Sequence, residues 1–131
     1  MFLDASAMVA ILLREPEAAE LSERLEGASR RLTSALAIYE TTLAVTRRRG
    51  WTLPAARGLV AEFMDIVEIS IVPIDASESQ AALDAFERYG KGRHPAALNM
   101  GDCFAYACAK THRVPLLFKG DDFSKTDVVP A

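Results

Sequence analysis

Residues 69–89 read ISIVPIDASESQAALDAFERY, and the change of pattern inside this stretch decides the fold. Ile69 to Ile74 is a β-branched run, the composition of a strand. Asp75 then stands three residues before Glu78, the spacing of a capping box, in which each side chain accepts a backbone N–H that the first helical turn leaves free. Beyond it Ala82, Ala85, Phe86 and Tyr89 recur at three- and four-residue steps and share one helical face. A strand that feeds directly into a helix is half of a parallel β–α unit.

The same alternation extends outward in both directions. Towards the N-terminus, Pro54 starts a helix whose Leu59, Phe63 and Val67 fall at four-residue steps, and Ser34 caps a longer one running from Ala35 to about Arg48. Arg31 to Thr33 is a short strand before that cap. Pro16 opens a further helix with Leu21 and Leu25 as its buried stripe and Gly27 as its stop. Ala7 to Leu13 is a small helix closed at Glu15-Pro16, because the residue before a proline avoids helical angles, and Met1 to Leu3 is an apolar strand ending at Asp4. Towards the C-terminus, Gly90 to Pro95 is a polar, basic loop and Asn99 caps a helix to about His112. Val114 to Phe118 is a strand, and Asp127 to Val129 a last short one. Short apolar strands separated by helices predict an α/β fold with a mostly parallel central sheet covered on both faces.

The chain has 131 residues, so a single domain over residues 1–131 is expected. Half of the residues are hydrophobic and a quarter charged, which excludes a disordered chain. With 15 Lys and Arg against 18 Asp and Glu the formal charge is −3, which excludes a uniformly basic nucleic-acid module but not a local site of either sign. No basic leader precedes the first strand, and the longest apolar stretch, Ala5 to Leu13, is too short to cross a bilayer. Cys103 and Cys108 lie about 140° apart on a helix and so do not pair with each other. They form no zinc-ligand spacing and read as two buried hydrophobes in a reducing cytoplasm.

The acids carry the chemistry. Glu40 has Leu36, Ala37, Leu43 and Ala44 as its helical neighbours, which turns its carboxylate towards packed surface, where a charge is costly unless something positive meets it. Asp102 has Leu98, Asn99, Ala105 and Tyr106 around it; capping of its own helix is the competing explanation. Asp4 follows the first strand, and Asp121 and Asp122 follow the strand Val114 to Phe118, at the sheet edge where open α/β folds bind ligands. Each alone reads as a turn or cap aspartate. Together they are carboxylates from distant segments converging without matching bases, and a divalent cation resolves their repulsion. Oxygen-only ligands suit Mg²⁺ or Mn²⁺, and one ion or two fit equally.

Four segments then acquire a common meaning: Met1-Phe2-Leu3-Asp4-Ala5-Ser6-Ala7, the helix bearing Glu40, Asn99-Met100-Gly101-Asp102-Cys103-Phe104-Ala105-Tyr106-Ala107, and Leu116-Leu117-Phe118-Lys119-Gly120-Asp121-Asp122-Phe123. In order and spacing they closely resemble the PIN-domain toxins of VapBC toxin–antitoxin modules, and Tyr89 to Ala96 resembles a loop of one VapC subgroup. The resemblance implies a three-layer α/β/α domain and a Mg²⁺-dependent ribonuclease. It further implies a homodimer held inactive by a VapB-type antitoxin, often cutting structured RNA such as tRNA. By position it implies Asp4 and Asp102 as main metal ligands, Glu40 completing the cluster directly or through water, Ser6 bonding near Asp4, and Asn99 holding a water beside the ion. Relatives often carry an acid two residues before the Asp-Phe pair, where this chain has Gly120. Asp122 is therefore the expected fourth acid, with Asp121 second.

Lys91, Arg93, His94 and Lys119 lie on loops flanking these acids and suit RNA phosphates, with solvated loop charge as the alternative. Arg47 to Arg49 complement the end of their helix, which explains them without RNA. Trp51 suits a base, an antitoxin or ordinary partial burial, and His112 suits a structural place. Met8, Ile11 and Leu12 suit the core first and a partner second. His94 and His112 alone give little support to a histidine-based ribonuclease, and neither a Ser-His-Asp set nor a phosphate loop is present. Two other functional classes compete: a PIN-like scaffold that engages RNA or a partner without cutting, and a phosphotransfer domain. The latter wants Asp-x-Asp after the first strand, where this chain has Asp4-Ala5-Ser6. Setting aside Asp4, Glu40, Asp102 and Asp122 leaves 14 acids against 15 bases, so the negative charge belongs to the proposed site.

Overall fold

The computed structural model describes residues 1–131. Its elements alternate as strand β1 (Phe2–Leu3), helices α1 (Ala5–Leu12) and α2 (Ala18–Glu26), β2 (Leu32–Ser34), α3 (Ala35–Arg49), α4 (Leu53–Ile66), β3 (Ser70–Val72), α5 (Ala76–Tyr89), α6 (Met100–Thr111) and β4 (Leu116–Leu117), closed by a 3₁₀ turn at Phe123–Lys125. The four strands are parallel and ordered β3-β2-β1-β4. The chain winds outward from β1 to β3 and then returns across the sheet to β4. Neighbouring strands β1 and β4 thus flank the point where the winding reverses, the ordinary place for an α/β ligand site.

Strands this short hold because their side chains alternate into two cores. Phe2, Leu32 and Leu116 enter the core beneath α5 and α6. Leu3 and Leu117 enter the opposite core with Met8, Leu21, Leu25, Val60 and Met64 from α1, α2 and α4. Phe2 and Leu3 are both fully buried. Helix α3 packs on α1 and α4. The result is a parallel sheet between two helical layers, the expected α/β/α arrangement.

The cap signals operate as expected. Ser34 Oγ accepts from Ala37 N, and both Asp75–Glu78 and Asn99–Asp102 form reciprocal capping boxes. Several boundaries differ from expectation: the strands are shorter or shifted, β2 running over Leu32–Ser34, β3 over Ser70–Val72 and β4 over Leu116–Leu117. Helix α1 starts at Ala5 because Asp4 itself is its N-cap, accepting from Ser6 N. Helix α2 starts at Ala18, after Pro16 and Glu17. The strand expected at Asp127 to Val129 is only a bridge from Pro130 to Leu116. Tyr106 and Lys110 on α6 hold the Asp127 side chain at 2.6 and 3.2 Å and fix the chain before it reaches β4. Met8 is fully buried, while Ile11 and Leu12 are partly buried against the same core, as their apolar helical positions suggest. No helix is long and apolar enough to cross a membrane.

Candidate active site

The end of β1 delivers Asp4 to the reversal point, and burial there pushes its carboxyl pKa up. Ser6 fixes the carboxylate: its backbone N–H and its hydroxyl both donate to Asp4 Oδ2, at 2.9 and 2.5 Å. The same hydroxyl accepts from Lys119 N at 3.0 Å, so Ser6 ties the end of β4 to Asp4.

Helix α6 brings Asp102 beside it from the other face of the sheet. Asp102 Oδ2 accepts from Asn99 N at 2.9 Å, and Asn99 Oδ1 accepts from Asp102 N at 2.9 Å. Capping and membership of the acidic cluster thus coexist in one side chain, and Asn99 acts on the site by orienting Asp102. Burial raises the Asp102 pKa to about 6, with further pressure from the charges of Asp4 and Asp122. Glu40, on α3, rises to about 7 through burial and the charges of Asp4 and Asp102. Three segments far apart in sequence therefore place their carboxylates within each other's field, and the charges acting on Glu40 and Asp102 come from acids alone.

Asp121 and Asp122 are exposed on the loop after β4. Asp122 is the one whose charge reaches Asp102; the Asp121 carbonyl accepts from Ser124 Oγ at 2.6 Å. Gly120 before them has φ +96°, a conformation in which an acidic residue would be strained. This backbone conformation favours glycine at position 120.

The donor chemistry fits a hard divalent cation: only oxygens, mostly anionic, with no base to offset them. The side chains do not draw together into a compact group of three or more ligands.

Of the basic residues, Lys119 does not stand free for a phosphate. Its ammonium binds Glu15 at 2.5 Å and Glu17 at 3.1 Å. His94 Nδ1 accepts from Ala96 N at 3.1 Å, which fixes the ring in its own turn against Tyr89. Lys91 and Arg93 are exposed, with Arg93 over the Phe86 ring. Lys91, Arg93 and His94 do not line the groove beside Glu40 and Ser6. Trp51 is partly exposed, and both cysteines are buried free thiols whose pKa burial raises, to about 11 and about 12.

Sequence reasoning missed Gly101. A Cβ built there would lie 2.5 Å from Glu40 Oε1 and 2.7 Å from its Cδ, so the first turn of α6 accommodates the Glu40 carboxylate only because residue 101 has no side chain. The signal was the small residue beside Asp102, but nothing local in sequence says what approaches it. The obstructing group is the flexible end of a glutamate and can move aside. Gly101→Ala is therefore expected to fold normally, with helix propensity adding up to about 1 kcal/mol. Displacement of Glu40 should lower cleavage about tenfold or more. Unchanged cleavage with a well-folded variant would remove Glu40's position from the account.

A parallel α/β/α sheet with carboxylates gathered at its reversal point defines a class of acid-centred domain. Residues 1–129 match the PIN domain family. A VapC ribonuclease of Rhizobium meliloti is 45% identical, the match covering 97% of this chain and 98% of the relative. The ribonuclease VapC of Mycolicibacterium smegmatis is 45% identical over 98% of this chain and 97% of its own, and VapC30 of Mycobacterium tuberculosis 41% identical over 98% and 95%. The chain belongs to the PIN-domain family, within its VapC ribonucleases. The crystal structure of Mycobacterium tuberculosis VapC20, described as a sarcin-ricin loop cleaving toxin, shares the fold with a TM-score of 0.77 at 18% identity, covering 99% of this chain and 97% of that one.

Proposed function

We propose that this protein is the toxin of a type II toxin–antitoxin module, a cytoplasmic single-domain ribonuclease that requires Mg²⁺ or Mn²⁺ and is restrained by a VapB-type antitoxin. One observation carries the metal requirement: burial raises the pKa of Asp4, Glu40 and Asp102, and the charges of Asp4 and Asp102 raise Glu40 further while that of Asp4 adds to the rise at Asp102. Divalent cations at such sites generate a nucleophilic water at neutral pH and offset charge on a phosphodiester. Asp4 and Asp102 hold the ion and Glu40 completes the cluster, with Asp122 approaching from the β4 loop. Ser6 and Asn99 keep Asp4 and Asp102 in place, so little rearrangement is needed at the moment of reaction. With these acids set aside the rest of the chain holds 14 acids against 15 bases, so it carries no net negative charge to repel an RNA backbone.

The test is cleavage of single-stranded RNA and tRNA with added Mg²⁺ or Mn²⁺, and again after chelation with EDTA. Cleavage that appears with the cation and stops with EDTA is expected; cleavage indifferent to EDTA would overturn the metal mechanism, and binding without cleavage would favour the scaffold. Exposed apolar side chains, among them Leu83, Met100 and Ile66, support contacts with a second copy or an antitoxin. Sedimentation at micromolar concentration should give a dimer, and a monomer would count against it.

A further inference from the structure

Beside the acids lies a groove of about 520 Å³ whose walls include Ser6, Glu40, Tyr39, Arg47, Arg48 and Lys119. On α3, positions 40, 43, 44, 47 and 48 share one face by helical spacing, so Arg47 and Arg48 stand about two turns along the axis from Glu40, at ~10.5 and ~12 Å. The cations of this groove are not equivalent. Glu15, its side chain only 15% exposed, pairs with both Arg48 and Lys119. Arg47 has no carboxylate partner; its Nε donates to Leu43 O at 3.3 Å, and the rest of its exposed guanidinium is unengaged. Tyr39, the residue before Glu40, is 61% exposed at the rim.

We infer that this groove seats the nucleotide next to the bond that is cut, Arg47 meeting its phosphate and the Tyr39 ring carrying its base; this assignment rests on the ribonuclease reading above. The chemistry recognises single-stranded RNA. A guanidinium binds a phosphate through parallel N–H donors, and an exposed aromatic ring stacks on any base. Neither group reads sequence, so the seat positions the strand without selecting it. Tyr39, Glu40 and Arg47 stand on one rigid helix, which fixes the seat relative to the acids. Glu15 and Glu17 offset Arg48 and Lys119 and hold them in the wall, which leaves Arg47 as the arginine of this groove free to meet a phosphate. Arg47 to Arg49, explained in sequence by the helix dipole alone, thereby divide into groove residues and a solvated one: Arg49 does not line the groove.

The test uses Asp102→Asn protein, to prevent cutting, and a fluorescein-labelled single-stranded RNA of about ten nucleotides, titrated by anisotropy over a range of KCl. Adding Arg47→Ala should weaken binding about tenfold and reduce the slope of log K against log salt by about 1, with Arg47→Lys restoring the slope. Adding Tyr39→Ala should weaken binding about tenfold without changing the slope, and Tyr39→Phe should bind like the parent. In the cutting protein the same single substitutions should raise KM and leave kcat nearly unchanged. Both side chains are exposed, so the variants are expected to fold, and the conservative replacements control for this. Affinity and slope equal to the parent in both alanine variants would overturn the seat, as would a groove reserved for a protein partner, which gives that same result. If the wild type cuts RNA while both variants match it, the seat fails and the ribonuclease stands. If Arg47→Ala loses affinity and slope and Tyr39→Ala loses affinity in a protein that never cuts, the seat stands as an RNA-binding site and the ribonuclease reading fails.

Discussion

Asp102→Asn protein is expected to fold like the wild type and to lose RNA cleavage by at least about 10²-fold. The amide keeps the size of the side chain and an oxygen for Asn99 N, so the capping box at the start of α6 keeps that contact. It removes the charge that the site contributes to a cation. Fold and activity therefore separate in this one substitution, which a purely structural role for Asp102 does not allow. Glu40→Gln should show the same separation more mildly, since in the proposed site Glu40 completes the cluster while Asp4 and Asp102 would hold the ion. Circular dichroism and melting establish the fold, and cleavage of single-stranded RNA measures the loss. A variant that cuts at the wild-type rate would remove Asp102 from the site.

The second large effect is on stability, and its sign depends on the cation. Glu40 stands at about 7 against an ordinary 4.5, and Asp102 at about 6 against 3.8. An acid whose pKa is raised by folding holds its proton more tightly in the folded state. Its contribution to stability is complete below the unfolded value and is lost as pH rises through the folded one. Cation-free protein should therefore lose melting temperature as pH rises from the ordinary carboxylate range to about 7. Mg²⁺ or Mn²⁺ should reverse the loss, because the same charges become ligands. At one hundred times Kd the gain is about 2.7 kcal/mol, or ~10 °C for a chain of this size. That gain should shrink towards about pH 5, where protons compete with the cation. Glu40→Gln should raise the cation-free melting temperature at neutral pH and reduce the cation's effect. Melting curves with and without Mn²⁺ across this range check both signs. A cation-free protein whose stability rises with pH through this range would contradict them.

Much of the fold was legible because punctuation, more than strand length, marks it. Ser34, Asp75 with Glu78, and Asn99 with Asp102 are local signals acting within four residues, and each caps a helix in the structure. The strands could be placed between them although β1 and β4 have two residues each. The chain end was misread because its path depends on Tyr106 and Lys110, 21 and 17 residues before Asp127, and no local pattern records that. At the site, the acids were legible from their apolar helical neighbours and their places at strand ends. The pairing of Lys119 with Glu15, 104 residues away, was not, nor was the passage that Gly101 leaves for Glu40. Arg47 lay within reach of helical arithmetic, seven residues after Glu40, but only the groove shows that this face is open.

The central claim, that Asp4, Glu40 and Asp102 form a cation site on which cleavage depends, is tested most directly by Mn²⁺ binding followed by electron paramagnetic resonance at neutral pH. Wild-type protein should bind Mn²⁺ saturably, with RNA cleavage rising over the same concentration range, and Asp102→Asn should lose both together. Equal Mn²⁺ binding in the two proteins, or cleavage by wild-type protein that binds none, would show that cleavage does not depend on a cation held by these acids.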